Sequence, residues 1–271
     1  MALGSTLQYV LLLACCLSIG WTTHATPQAR IVGGVTVDIN SAPHLVTIRY
    51  KRNATTAFEH RCSGTIYTEN IILTTARCVV GLKRQQLLIV AGSSYRAQSD
   101  GSVYGVNSIV IHPDFDIWFI DNDMALIYLA NALTTQQPKV IQPIKLAAAV
   151  PAVNSTATVA GWGAAAEYAA YETQLLEANV RIIAEAQCKK AYGAGRISAA
   201  MLCASGTNAN GGIIDACQGD AGSALVFNGT AVGLVSWGNG CGREGYPGVY
   251  TNLTHFKAWI ESEANKTVSE N

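Results

Sequence analysis

Short segments that alternate apolar and polar residues, or run wholly apolar, recur along this chain between turn residues. They fall at 45–50, 64–67, 71–75, 87–91 and 106–111 in the first half, and at 156–161, 175–183 and 230–237 in the second. A period of two residues sends alternate side chains to opposite faces of a strand. Short strands at this spacing predict barrels or sandwiches, not alternating β/α units. One helix is expected, at 254–263. There Phe256, Trp259 and Ile260 fall at i, i+3 and i+4 and form an apolar stripe that docks on the body. No internal repeat or low-complexity tract breaks the pattern.

The start of the chain follows a different rule. Residues 1–25 read as a secretory signal: 10–19 is mostly apolar, and Thr23-His24-Ala25 ends in a small residue suited to cleavage. That run is too short to span a bilayer, and no later segment reaches about 20 apolar residues. A secreted, soluble product with no membrane partner is expected. Of eight cysteines, Cys15 and Cys16 leave with the signal, and the remaining six are an even number in an exported chain. Six cysteines allow about fifteen pairings, and spacing alone does not choose among them. N-x-[ST] sequons at Asn53, Asn154, Asn228, Asn252 and Asn265 suit the same compartment. Lys plus Arg equals Asp plus Glu at 18 each, which argues against nucleic-acid or heparin-like partners held by bulk charge.

Three stretches carry candidate chemistry. Residues 215–224 read D-A-C-Q-G-D-A-G-S-A, residues 73–78 read L-T-T-A-R-C, and residues 121–127 read D-N-D-M-A-L-I. Together they resemble the nucleophile, histidine and aspartate motifs of the chymotrypsin/trypsin-like serine proteases. In this resemblance Ala221 stands where the nucleophilic serine belongs, and a methyl group cannot attack a carbonyl. Arg77 stands where the general base belongs, and a guanidinium stays protonated. Asp123 takes the triad aspartate's place. It is expected to hold Arg77 in a charge-assisted structural ion pair, single or bidentate, that replaces the catalytic one. None of His44, His60, His112 or His255 maps beside Asp123. No functional catalytic residue is therefore expected.

The same resemblance implies the rest of the site. Gly219 and Ala221 would supply the backbone amides of an oxyanion hole. Ser223-Ala224 replaces the family's Gly-Pro, so the loop would be strained if Ser223 had to take a glycine-only conformation. Asp215 would form the floor of a pocket for Lys or Arg, walled by Ser236, Trp237, Gly238 and Gly248. Two readings stand there: an open pocket, or a relic that is paired internally or covered by a loop. Residues 26–30 would be a short propeptide cut after Arg30, freeing Ile31 to pair with Asp220. The domain would span 31–271 as an all-β fold of two antiparallel six-stranded β-barrels with a C-terminal helix, crossing over near 131–143. Its disulfides would be Cys62–Cys78, Cys188–Cys203 and Cys217–Cys241.

Within the family the chain resembles the mite group 3 allergen branch, and there the inactivated scabies mite paralogues. The substitutions at 77 and 221, the segment G-R-E-G-Y-P-G-V-Y-T at 242–251 and the three-disulfide framework carry this. The branch implies a secreted, monomeric pseudoprotease that binds host defence proteins such as complement, with no cofactor and no metal. The alternative is an active endopeptidase cleaving after Lys or Arg. A glycosaminoglycan-binding or antimicrobial role is disfavoured by the neutral charge.

Overall fold

The structure is a computed structural model that describes residues 31–97, 100–134 and 141–269. The expected signal, the propeptide and Arg30 lie outside these residues. So do 135–140, which fall inside the expected crossover.

A two-residue strand, β1 (Val35–Thr36), precedes the first barrel. That barrel is built from β2 (Leu45–Tyr50), β3 (Glu59–Ile66), β4 (Ile71–Thr74), β5 (Leu87–Ala91), β6 (Ser102–Ile111) and β7 (Ala125–Leu129). It closes in the order β2-β3-β4-β7-β6-β5, with β5 returning to β2, and every pairing is antiparallel. Val46, Ile48, Ile66, Ile72, Ile89 and Ile127 fill its interior. These β-branched residues suit the pleated, half-buried surface of a strand.

Past Leu129 the chain crosses to β8 (Lys145–Leu146), which already pairs with the second barrel. That barrel uses β9 (Thr156–Gly161), β10 (Leu176–Ile183), β11 (Met201–Thr207), β13 (Ala224–Phe227), β14 (Thr230–Trp237) and β15 (Gly248–Asn252). A two-residue strand, β12 (Ile213–Ile214), extends β11. The ring runs β10-β9-β13-β14-β15-β11 and closes by the β10–β11 pairing. Its core holds Val159, Val180, Ile182, Leu225, Val232 and Tyr250. Closing both sheets leaves neither barrel with an open edge.

The described residues also form three α-helices: α1 (Ala76–Val79), α2 (Glu185–Tyr192) and α3 (Leu253–Ser269). The expected apolar stripe docks α3 as predicted, with Phe256 and Ile260 almost wholly buried beside Leu73, Leu126 and Leu234 from both barrels. Burying each such side chain contributes roughly 1.5–3 kcal/mol. The helix begins at Asn252, whose Oδ1 accepts from the Thr254 amide (3.2 Å) and hydroxyl (2.7 Å). The same amide group donates Nδ2–H to the Ala199 carbonyl (3.2 Å), so this sequon nitrogen is already in use. Asn53, Asn154, Asn228 and Asn265 are exposed.

All three expected disulfides are formed. Cys62–Cys78 ties β3 to α1, and Cys217–Cys241 ties the loop before β13 to the loop before β15. Both bridges border the same cleft.

Candidate active site

The short helix α1 positions residue 77. The first amides of a helix have no intrahelical acceptor, and Asp123 uses this: its Oδ1 accepts from the backbone N–H of Arg77 at 2.8 Å. Its Oδ2 accepts from Ser236 Oγ at 2.7 Å. The Thr251 hydroxyl donates to the Asp123 carbonyl at 2.8 Å, so β14 and β15 clamp this residue to the second barrel. Burial pushes the Asp123 carboxyl up, while the Arg77 charge pulls it down.

The expected ion pair between Arg77 and Asp123 forms, but it is not bidentate. Arg77 Nε lies 3.6 Å from Asp123 Oδ2, beyond hydrogen-bond reach, and that buried Nε has no hydrogen-bond partner. The strong bond comes from the Arg77 backbone instead, and 38% of the side-chain surface is exposed. The reason is geometric: the carboxylate caps α1, and its second oxygen is taken by Ser236. Asp123 is buried but Arg77 is partly exposed, and without a direct hydrogen bond the pair falls towards the ~0–1 kcal/mol of solvent-screened pairs. Urea melts of Arg77→Ala, Asp123→Ala and the double variant should give a coupling of about 1 kcal/mol or less. Asp123→Ala should be the costlier single change, because it strands the Ser236 hydroxyl and the Arg77 amide. A coupling above ~3 kcal/mol would mean a fully buried pair.

Ala221 is buried, with its methyl group in the core cluster of the first barrel and its carbonyl accepting from the Ser63 amide at 2.8 Å. The neighbouring amides are arranged for an anion. Neither the Gly219 nor the Ala221 N–H donates to any acceptor among the described residues. The Gly219 carbonyl is held from behind by His60 Nε2 (2.9 Å) and Ser63 Oγ (3.3 Å). A carbonyl only accepts, so Nε2 carries the ring proton and Nδ1 accepts from Thr47 Oγ1 (2.7 Å). Burial lowers the His60 pKa to about 4, which keeps the ring neutral. In the sequence His60 was weighed only as a substitute base and set aside, and Ser63 was not singled out. They reach Gly219 across 159 and 156 residues, and no local signal marks such a contact.

Ser223 is not strained. The left-handed position is Gly222, at φ +89°, where a Cβ would lie 2.1 Å from the Ser63 carbonyl oxygen. Ser223 keeps a negative φ and bonds through its backbone to Asp220 and Val235. The glycine requirement falls one residue earlier than the Gly-Pro replacement suggested.

The activation segment is partly assembled. Ile31 is fully buried against Leu176 and Ala178, and Val32 pairs with the backbone of Asp215. Asp220, however, accepts from the Gly163 (2.7 Å) and Cys217 (3.0 Å) amides, and no bond from Ile31 reaches it among the described residues. Burial raises the Asp220 pKa to about 6.

Asp215 lies 2% exposed at the base of a cavity of about 340 Å³. Arg77, Gly219, Ala221, Ser236, Trp237, Gly238 and Gly248 line the same cavity, so the sequence-predicted site residues converge there. Asp215 Oδ2 accepts from the Gly242 amide (3.0 Å), while Oδ1 has no partner. Gly248 packs directly against that buried oxygen, where a Cβ would lie 2.5 Å from it. Both readings from the sequence remain: Oδ2 is paired internally with the Gly242 amide, while Oδ1 is buried without a hydrogen-bond partner. Desolvation raises the Asp215 pKa to about 7, and nearby Asp220 adds to the rise. Among the described residues no cluster of three or more His, Cys, Asp or Glu could hold a metal. No described helix is long and apolar enough to cross a membrane.

Two closed six-stranded barrels with a cleft floored by an acid between them define the class, and direct comparison agrees. The family described as Trypsin matches residues 31–260. Trypsin eta of Drosophila erecta is 36% identical over 253 residues, covering 93% of this chain and 96% of its own. Trypsin zeta of Drosophila melanogaster is 37% identical over 246 residues, 88% of this chain and 87% of its own. Trypsin delta of Drosophila melanogaster is 36% identical over 266 residues, 95% of this chain and its whole length. This chain belongs to the trypsin family of serine protease domains.

Proposed function

We propose that this chain is a catalytically silent trypsin homologue that acts by binding. The observation that carries the reading is the environment of Asp123. Its carboxylate faces a residue that cannot shuttle a proton, across a cleft whose nucleophile position is a methyl group. Everything that binds a substrate remains: free oxyanion amides, an acid-floored pocket and an open cavity. A site that keeps recognition and lacks reacting atoms suits a binder.

The setting we propose is extracellular. The signal-like segment at 1–25, three closed disulfides and four exposed sequons support it. Within the family we place the chain with the mite group 3 allergen branch and its inactivated scabies mite paralogues, on the segment 242–251 and the changes at 77 and 221. That placement makes host defence proteins, complement above all, the partner class.

Purified protein added to host serum should lower complement-dependent lysis in proportion to its concentration. The loss should be the same at early and late times, with complement components left uncut. Inhibition that grows with incubation and produces new fragments would point instead to the endopeptidase alternative.

A further inference from the structure

Between β6 and β7 the chain forms a narrow finger closed by a backbone pair. The Asp116 and Asp121 amides each donate to the other residue's carbonyl, at 3.0 and 3.1 Å. The tip reads I-W-F at 117–119. Trp118 is 87% exposed, and Ile117 and Phe119 are each more than half exposed. Exposed apolar residues scattered singly are ordinary, but three consecutive large ones at one tip mark an interaction site. The tip is also held outward from behind. Asp116 Oδ1 accepts from the Trp118 (2.8 Å) and Phe119 (3.1 Å) amides. Arg196 donates to the Phe119 carbonyl, and its guanidinium lies over the Phe119 (5.8 Å) and Trp237 (4.4 Å) rings. Ser198 Oγ donates to Asp121 Oδ1 at 2.5 Å. Ile120 turns the chain back at φ +50°, a conformation that β-branched residues avoid.

Two features favour a lipid surface over a pocket in a protein partner. Hydrocarbon offers no hydrogen bonds, so a segment that enters it must bring its backbone groups already paired. The Trp118 and Phe119 amides and the Phe119 carbonyl meet that condition through Asp116 and Arg196. The finger is also layered by polarity. Residues 117–120 carry no charge, and an indole is amphipathic, suited to the headgroup level. At the base stand the Asp116 and Asp121 carboxylates, with the exposed Asp114 just before them and Arg196 beside them. Three carboxylates against that one guanidinium suit the outward ammonium groups of a choline surface, and oppose an anionic one. The exposed Trp118 ring adds a face that attracts quaternary ammonium.

We infer that residues 117–119 are a surface anchor that inserts into a zwitterionic, choline-bearing membrane. The expectation of no membrane partner rested on the lack of a spanning segment, which does not bear on a contact made by three side chains. The inference is independent of whether the cleft is catalytic. Ile120 lines the cleft, so an anchored molecule would hold the mouth of that cleft beside the bilayer.

Co-sedimentation of the full chain with phosphatidylcholine vesicles tests this. Binding should be reversible and half-complete by about 1 mM lipid, a contact no stronger than a single acyl chain provides. Trp118→Asp should weaken it at least about tenfold while leaving Tm unchanged, because the side chain is exposed. Val103→Asp, at an exposed apolar position on β6, should bind like the unaltered protein. Lipids brominated in the acyl chains should quench the unaltered protein, and Trp118→Phe should lose that quenching. Replacing part of the phosphatidylcholine by phosphatidylglycerol should weaken binding. Failure of the unaltered protein to bind vesicles overturns the proposal, as does equal binding by Trp118→Asp, or binding that requires anionic lipid and vanishes in salt. If vesicles are ignored and Trp118→Asp instead loses capture of a serum protein, the tip docks on protein and the lipid anchor is refuted.

Discussion

Arginine and lysine esters are expected to be hydrolysed no faster with this protein than in buffer, and only the double reversion Ala221→Ser/Arg77→His should change that. Losing nucleophile and base together removes about six orders of magnitude in turnover, and losing either alone removes nearly as much, because the triad acts as a unit. Each single reversion should therefore stay silent. The double variant should exceed either by at least about three orders of magnitude, since the supporting parts are in place. Asp123 already bonds the amide of residue 77 and the Ser236 hydroxyl, and the Gly219 and Ala221 amides are free. Turnover by the unaltered protein that survives repurification and tracks its folded fraction would refute the silent reading. A folded but inert double variant would mean that the oxyanion amides are not productively aimed.

What the sequence disclosed depended on how each element is buried. β2, β5, β9 and β14 read as apolar runs between turn residues and fall at their expected bounds residue for residue, and β10, whose buried positions alternate, falls within one residue. Strands buried on both faces lose the alternation. All five positions of β7 are buried, and four of five in β15, so these segments read as motif or turn-rich stretches. The short β13 directly follows the 215–224 loop and was absorbed into it. Helix α3 extends past its expected end because the apolar stripe marks only the docked part, whereas the remainder needs no buried face.

The candidate site divides in the same way. Which residues converge was legible, since Arg77, Asp123, Asp215, Gly219 and Ala221 sit in recognisable local motifs. How they bond was not. Whether Arg77 meets Asp123 through its guanidinium or its amide depends on the orientation of α1 against β14, set by contacts 46 and 113 residues apart. The lone oxygen of Asp215 likewise follows from which backbone amides the distant 241–248 loop supplies, and it supplies only one.

That lone carboxylate leads to the second large expectation: Asp215→Asn should stabilise the protein above neutral pH and have little effect near pH 4. Burial raises the folded pKa from 3.8 to about 7. Between those values the folded state holds a proton that the unfolded state has released, so stability associated with Asp215 is present at low pH and drains away as pH rises through about 7. Asparagine keeps the shape and the acceptor for the Gly242 amide but never ionises. The difference between the two proteins should therefore grow from pH 4 to about 7 and then level off. Three pKa units correspond to about 4 kcal/mol, an upper bound because water entering the cavity screens the charge. For a domain of this size each kcal/mol shifts Tm by roughly 2–4 °C. Asp220, also raised by burial, contributes the same trend to both proteins, and its repulsion of Asp215 is part of the difference between them. A cationic group in the pocket should narrow the gap by keeping Asp215 ionised at less cost, so an arginine-bearing peptide should raise Tm of the unaltered protein at pH 8 and leave the variant unmoved. If Asp215→Asn is no more stable than the unaltered protein at pH 8, Asp215 is already compensated in the folded state, and the charge pattern that makes this cavity a binding site is gone with it.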